Sequence, residues 1–339
     1  METGTPLLEI RGLELEYKAY GGALKVLNGV ELHVHPGEKV GLVGETGCGK
    51  TSTVKAVLRV LPMPPAQIRG GSIRFKGQDV LKMSQRALRQ VRGRGIAMIF
   101  QDPTAALNPV FTIGEQLGAV IRSQSDERLS RRQVRAAAVE ALRDVALADP
   151  ARLLEAYPIQ LSGGMRQRVC IAMALATKPE LLIADEPGTA LDVTIQDQVL
   201  RLLHNLVEER NTSVILISHS LGIVRQLTDR VYVMYAGSIV ESAPTRTLFT
   251  HPGHPYTQRL MEVVPRLSGG GIAPGIPGRI PNYLDPPTGC RFHPRCPHVM
   301  EICRQRKPPA YTLEEGHQVA CFLYDEAHRQ GQAQAASTQ

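Results

Sequence analysis

Between residues 7 and 35, apolar and polar positions alternate in short runs that break at Tyr20-Gly21-Gly22, the two-residue period of antiparallel strands joined by a loop. The rhythm then changes. Residues 38–43 form a short apolar run ending in Gly44, and residues 50–61 are rich in helix formers, which predicts strand, loop, helix. From Gln101 to Ser162 the sequence is mostly helical in character, with apolar side chains at three-to-four spacing over residues 131–147. Residues 181–184 and 214–218 are brief β-rich runs, each preceded by helical sequence. Strands separated by helices predict an α/β fold with a parallel core sheet covered on both faces, beside the N-terminal antiparallel strands. Beyond Ser242 the texture shifts, and prolines and glycines crowd residues 251–309, which argues for a loop-rich C-terminal extension. We expect one domain over residues 1–250, with a helical subdomain at about 102–165, and the extension over 251–339. No internal repeat is evident.

A chain of 339 residues is long enough for a large domain plus a smaller one with a substantial core. Its 43% hydrophobic and 21% charged residues are ordinary for a globular protein, so disorder is expected only in the Gln/Ala/Ser-rich tail from about Arg329. The formal net charge of +7 raises the question of nucleic acid or anionic lipid. The arginines of residues 86–94 and 122–135, however, alternate with apolar residues at helical spacing, as on a solvated helix face. No run reaches about eighteen apolar residues, and Met1-Glu2-Thr3 lacks the basic, apolar start of a signal peptide. A cytoplasmic chain that does not span a membrane is expected. Of the six cysteines, Cys48 and Cys170 stand alone, whereas Cys290, Cys296, Cys303 and Cys321 cluster. In a reducing cytosol that cluster reads as a metal site before it reads as disulfides.

Gly44-Glu45-Thr46-Gly47-Cys48-Gly49-Lys50-Thr51 fits the phosphate-loop pattern at every fixed position, between an apolar strand and a helix that continues into Ser52. Glycines let the backbone curl so that successive N–H groups face a phosphate, and the helix N-terminus adds a favourable dipole. Lys50 would neutralise β/γ oxygens and the Thr51 hydroxyl would ligate Mg²⁺. Cys48 stands where chemistry fixes no residue type and reads as a small filler. Leu181-Leu182-Ile183-Ala184-Asp185-Glu186 has the form of a buried strand ending in two carboxylates, with Asp185 suited to the Mg²⁺ shell and Glu186 to polarising the attacking water. Between these motifs, Leu161-Ser162-Gly163-Gly164-Met165-Arg166-Gln167-Arg168 offers a hydroxyl and exposed N–H groups at a helix start, a second anion site in the same chain.

This trio, in this order, resembles the ATPase subunit of an ABC (ATP-binding cassette) protein. The resemblance implies that Leu161, Ser162, Gly163, Gly164, Met165 and Gln167 close over ATP held by a partner, with Asp192 of Thr189-Ala190-Leu191-Asp192 at the same interface. It also implies that Gln101 senses Mg²⁺ and the γ-phosphate, that His219 contacts the γ-phosphate, and that residues 102–109 meet membrane subunits. Tyr17 is the choice for the aromatic that stacks on adenine, with Tyr20 as competitor. Gly188, Gln160 and Ser220 depart from the family, where threonine, glutamate and aspartate are common; none removes a catalytic group.

The spacing Cys290-x5-Cys296-x6-Cys303-x17-Cys321 is too irregular for an ordinary zinc ribbon, and four thiolates suit zinc or a [4Fe–4S] cluster, with His293 or His298 as substitutes for one cysteine. The run Gly289-Cys290-Arg291-Phe292-His293-Pro294-Arg295-Cys296-Pro297, preceded by His251-Pro252-Gly253-His254-Pro255-Tyr256-Thr257, resembles the dipeptide/oligopeptide (and nickel) uptake branch, and the likeness extends from Leu8 to Leu323. Membership implies a [4Fe–4S] cluster on the four cysteines. It implies, further, a second, homologous ATPase in a heterodimer, two transmembrane permease subunits, an extracytoplasmic solute-binding protein, and a peripheral place on the cytoplasmic face of the inner membrane. The rival reading is a soluble ABC ATPase acting on nucleic acid in repair or translation. About 60 residues between Gln101 and Ser162 leave little room for the coiled coils or zinc modules of such proteins.

Overall fold

The computed structural model describes residues 4–125, 127–189, 191–262 and 275–325. The expected disordered tail and the first three residues lie outside these. By density of contact the chain divides into two units, Met1–Leu7, Val34–Glu38 and Lys82–Ile217 in one, and Leu8–His33, Lys39–Leu81 and Ser218–Gln339 in the other. Thr250, the expected boundary, falls inside the second unit.

In the first unit three strands run parallel. Ile96–Ile99 pairs with Leu181–Asp185, Ile96 opposite Leu181, and Leu181–Asp185 pairs with Ser213–Ile217, Leu181 opposite Ser213. Every residue of the last two strands is buried, which explains their unbroken apolar runs. Helices surround them, and their ends are written locally. Ile113–Gln124 starts at a capping box of Thr112 and Glu115, and Arg131–Asp144 at one of Ser130 and Gln133. Gly163–Leu175 and Val193–Glu209 are capped by Ser162 and Asp192. The periodicity predicted over residues 131–147 ends three residues early, because Val145 leaves helical geometry.

The second unit carries a four-stranded antiparallel sheet, in which Leu8–Ala19 pairs with Ala66–Phe75, Leu8 opposite Phe75 and Tyr17 opposite Ala66. Leu8, Ile10, Leu13 and Leu15 point inward. A register shift after Arg11, with Gly12 at φ +58°, moves the inward set from even to odd positions. A second group of strands holds Lys39–Val43 parallel to Arg230–Tyr235, which is antiparallel to Ser238–Pro244. The extension contributes a hairpin, Tyr311–Glu314 and His317–Val319, whose second strand pairs with Ser238–Pro244, Glu241 opposite Val319. Its Tyr256 and Phe292 are fully buried in one core with Val231, Val233 and Tyr235. Among the described residues its α-helices are the short Pro255–Glu262 and Glu301–Gln305. Among the described residues no helix is long and apolar enough to cross a membrane.

Candidate functional site

In the second unit the phosphate loop joins Lys39–Val43 to the helix Lys50–Val57. Gly44 is required there: at φ +149° a Cβ would collide with the backbone carbonyl of Met234. Gly49, at φ 111°, caps the helix without a side chain, so no capping side chain competes for its first N–H groups. Lys50 is only 5% exposed, and its Nζ donates to the carbonyls of Gly44 at 2.8 Å and Glu45 at 3.0 Å, so the ammonium is held over the loop. The Cys48 thiol is fully buried, and burial pushes its pKa up despite Lys50, which leaves an inert filler. Tyr17 stands with its hydroxyl 3.4 Å from Ser52 Oγ, whereas Tyr20 is fully exposed. Tyr17 is therefore the aromatic beside the loop. The carboxylate of Glu45 is bound by Arg295, 250 positions later. His219 is exposed in this unit, two residues ahead of the helix Leu221–Leu227, and Ser220 N donates to Ser218 Oγ at 3.1 Å.

The first unit holds the carboxylates. Asp185 is 2% exposed at the end of its strand, and Glu186 follows at φ 50°, a left-handed conformation uncommon outside glycine. The Glu186 N–H donates to the Ile217 carbonyl at 2.9 Å. Its Oε2 accepts from Gln101 Nε2 at 2.8 Å and from Thr189 Oγ1 at 3.1 Å, so both donors aim one carboxylate oxygen. Sequence reasoning placed Gln101 at Mg²⁺ and passed over Thr189; its only signal was the run that led to Asp192. Gly188 lies against the flexible side chain of Gln196.

Ser162 and Gly163 are exposed at the start of Gly163–Leu175, where Ser162 Oγ accepts from Met165 N at 3.3 Å. Gly164 packs on Ile195, and Leu161 is buried beneath. Gln160 Oε1 accepts from Tyr157 N at 2.7 Å. Asp192 is exposed, and its Oδ1 accepts from Ile195 N at 3.0 Å. Gln167 differs from its neighbours: at 1% exposure it faces the interior of its own unit.

In the second unit Cys290, Cys296, Cys303 and Cys321 line one small cavity with His254, His293, His298, Met300 and Phe322. All four are free thiols. Burial pushes Cys290 up to about 11 and Cys321 up to about 12, while the backbone N–H groups of Phe292 and Leu323, each two residues on from its cysteine, act in the opposite sense. Backbone N–H groups so placed suit thiolate ligands. Among the described residues, no three His, Cys, Asp or Glu side chains are placed to hold a single metal ion. His254, wholly buried, accepts from Tyr256 N at Nδ1 and is kept neutral by burial.

Residues 27–189 match the family described as ABC transporter, and residues 240–303 match the oligopeptide/dipeptide transporter C-terminal region. A probable peptide ABC transporter ATP-binding protein of Sinorhizobium fredii is 48% identical, over 94% of this chain and 96% of the relative. The dipeptide transport ATP-binding protein DppD of Bacillus subtilis is 43% identical over 94% and 95%, and the probable D,D-dipeptide transport protein DdpD of Escherichia coli is 46% identical over 94% and 96%. Among solved structures, the ATP-binding cassette MJ0796, a dimer in a post-hydrolysis state bound to ADP and Pi, has a TM-score of 0.63 at 26% identity, over 70% of this chain and 99% of that one. The nucleic-acid alternative finds no support in these relatives. The chain belongs to the ATP-binding subunits of the oligopeptide/dipeptide ABC transporter family.

Proposed function

We propose that this chain is the ATP-hydrolysing subunit of an importer of dipeptides or oligopeptides, working at the cytoplasmic face of the membrane with a second, homologous ATPase, two permease subunits and a solute-binding protein. The match of residues 240–303 to the oligopeptide/dipeptide C-terminal region carries the substrate class. In this reading the loop of residues 44–51, with Lys50, binds the phosphates, Thr51 and Asp185 hold Mg²⁺, and Glu186 takes the proton of the attacking water. Gln101 and Thr189 orient that base through their bonds to Oε2. Ser162 and Gly163, exposed at a helix start, suit the γ-phosphate of ATP on the partner ATPase, and the exposed Asp192 belongs to the same interface. His219 supplies a further γ-phosphate contact.

The four-cysteine cavity fits a [4Fe–4S] cluster better than one zinc ion. Four free thiols line it, a donor set that can give one sulfur to each of four irons. Bound there, the cluster would tie together segments of the extension that are far apart in sequence. Chain purified without oxygen should be brown and contain about four irons; colourless protein with stoichiometric zinc refutes the cluster.

The transport reading is tested with the assembled complex in vesicles. Phosphate release should rise when peptide-loaded binding protein is added and vanish in Lys50→Ala. ATP turnover that ignores a series of peptides overturns the substrate class.

A further inference from the structure

We propose that Arg295, Tyr256 and Tyr283 of the C-terminal extension are positioning residues for the phosphate loop and set its affinity for nucleotide. The inference rests on reading residues 44–51 as the ATP site. Three groups of the extension grip the loop at separate points. Arg295 makes a two-pronged pair with Glu45, Nη1 to Oε2 at 2.8 Å and Nη2 to Oε1 at 3.1 Å, and its side chain is 4% exposed. The Tyr256 hydroxyl accepts the Glu45 N–H at 2.9 Å. The Tyr283 hydroxyl donates to the Gly47 carbonyl at 2.8 Å.

Each grip acts on backbone that must present N–H groups to phosphate. A peptide plane is rigid, so fixing the Gly47 carbonyl outward turns the Cys48 N–H to the opposite side. There it closes the loop onto the Glu45 carbonyl at 3.3 Å. Tyr256 is itself immobile, fully buried with its ring 4.7 Å from Tyr235 and 5.4 Å from Phe292. Arg295 is equally fixed, since its remaining N–H groups reach Pro277 O at 2.8 Å, Ile276 O at 2.9 Å and the Tyr235 hydroxyl at 3.3 Å. Every N–H of the guanidinium therefore has an acceptor. Neutralising Glu45 has a second effect. A free carboxylate in the loop would repel a triphosphate, and Arg295 cancels that charge while leaving the loop in place. Cys296, next to Arg295 in the chain, lines the four-cysteine cavity, so one turn of the extension serves both the thiols and the nucleotide.

Binding of a fluorescent ATP analogue to the full chain, with KM and kcat of the assembled transporter, tests this. Arg295→Gln should raise the Kd for nucleotide about tenfold, with the loss falling on KM rather than kcat. Arg295→Lys should recover only part of it, because an ammonium cannot make the fork. The double variant Glu45→Gln/Arg295→Gln should bind no worse than Arg295→Gln alone, the signature of a coupled pair. An Arg295 that merely braced Ile276 and Pro277 would give additive losses, and that result overturns the proposal. So does a Kd for Arg295→Gln within about twofold of the parent. If Arg295→Gln fails to fold, Tyr283→Phe decides: it removes one hydroxyl and should raise Kd about threefold at an unchanged melting temperature, and an unchanged Kd overturns the proposal. Lys50→Ala separates the two readings. Parent-like binding in that variant refutes the phosphate loop as the ATP site, whereas lost binding there with parent-like Arg295→Gln refutes only the positioning role.

Discussion

Glu186→Gln isolates the proton-accepting role from every structural role of the residue. The carboxylate oxygen that matters accepts from Gln101 at 2.8 Å and Thr189 at 3.1 Å, and a glutamine carbonyl oxygen can take both bonds in the same place. The amide has the same volume and the same cost at φ 50°, so folding stability should change by less than about 1 kcal/mol. What is lost is basicity. General-base catalysis contributes about 10²–10⁴-fold, roughly 3–5.5 kcal/mol of barrier, and single-turnover phosphate release should slow by that factor. Nucleotide affinity should persist, because Lys50 and the loop lie elsewhere in the chain, so ATP-bound dimers should accumulate on size exclusion. Turnover within about threefold of the parent would refute the assignment of Glu186. Loss of binding instead would mean that the carboxylate holds the site together and does not act on water.

Three further outcomes follow from the packing. Gly44→Ala places a methyl against the Met234 carbonyl at φ +149°, and should lower stability by more than about 2 kcal/mol and abolish ATP binding, measured by thermal melting with and without nucleotide. Phe292→Ala empties a site that is 1% exposed and stacked among Tyr235, Tyr256 and His254; it should cost about 3–5 kcal/mol in a denaturant titration. Burial pushes Cys170 up to about 12 from 9.0, so at pH 8 it should resist iodoacetamide in the native chain and label on unfolding. Its raised pKa leaves stability intact below pH 9 and erodes it as pH climbs towards 12, a loss that a pH series of melts on Cys170→Ala should remove.

The parts of the site that were legible in the sequence are those made by neighbours along the chain. The phosphate loop, the buried strand ending in Asp185-Glu186, and the Ser162 helix start are each written in about eight consecutive residues, and local geometry follows from glycine and capping chemistry. Contacts made across the fold left no such trace. Arg295 stands in the sequence only as one member of the run of residues 289–297, and nothing in either segment announces its pairing with Glu45. Gln167 was grouped with its exposed neighbours because the motif is contiguous, yet a helix turns about 100° per residue and carries it inward. The count of prolines and glycines fits the short helices of the extension's described residues, Pro255–Glu262 and Glu301–Gln305. It concealed the hairpin Tyr311–Glu314 and His317–Val319, because short strands need few residues and gain their stability from the sheet they join.

That hairpin decides where the chain can be cut. Ser238–Pro244 has Arg230–Tyr235 on one side and His317–Val319 on the other. A chain ending at Thr250 would open one flank of Ser238–Pro244, a ready template for pairing with another molecule. It would also strip Glu241, 1% exposed, of the Gly253 and His254 N–H groups and of His317 at 2.8 Å, leaving a buried carboxylate with none of these partners. The smallest stable cassette of this protein thus runs past Thr250, and shortening it there should yield aggregates rather than a smaller ATPase.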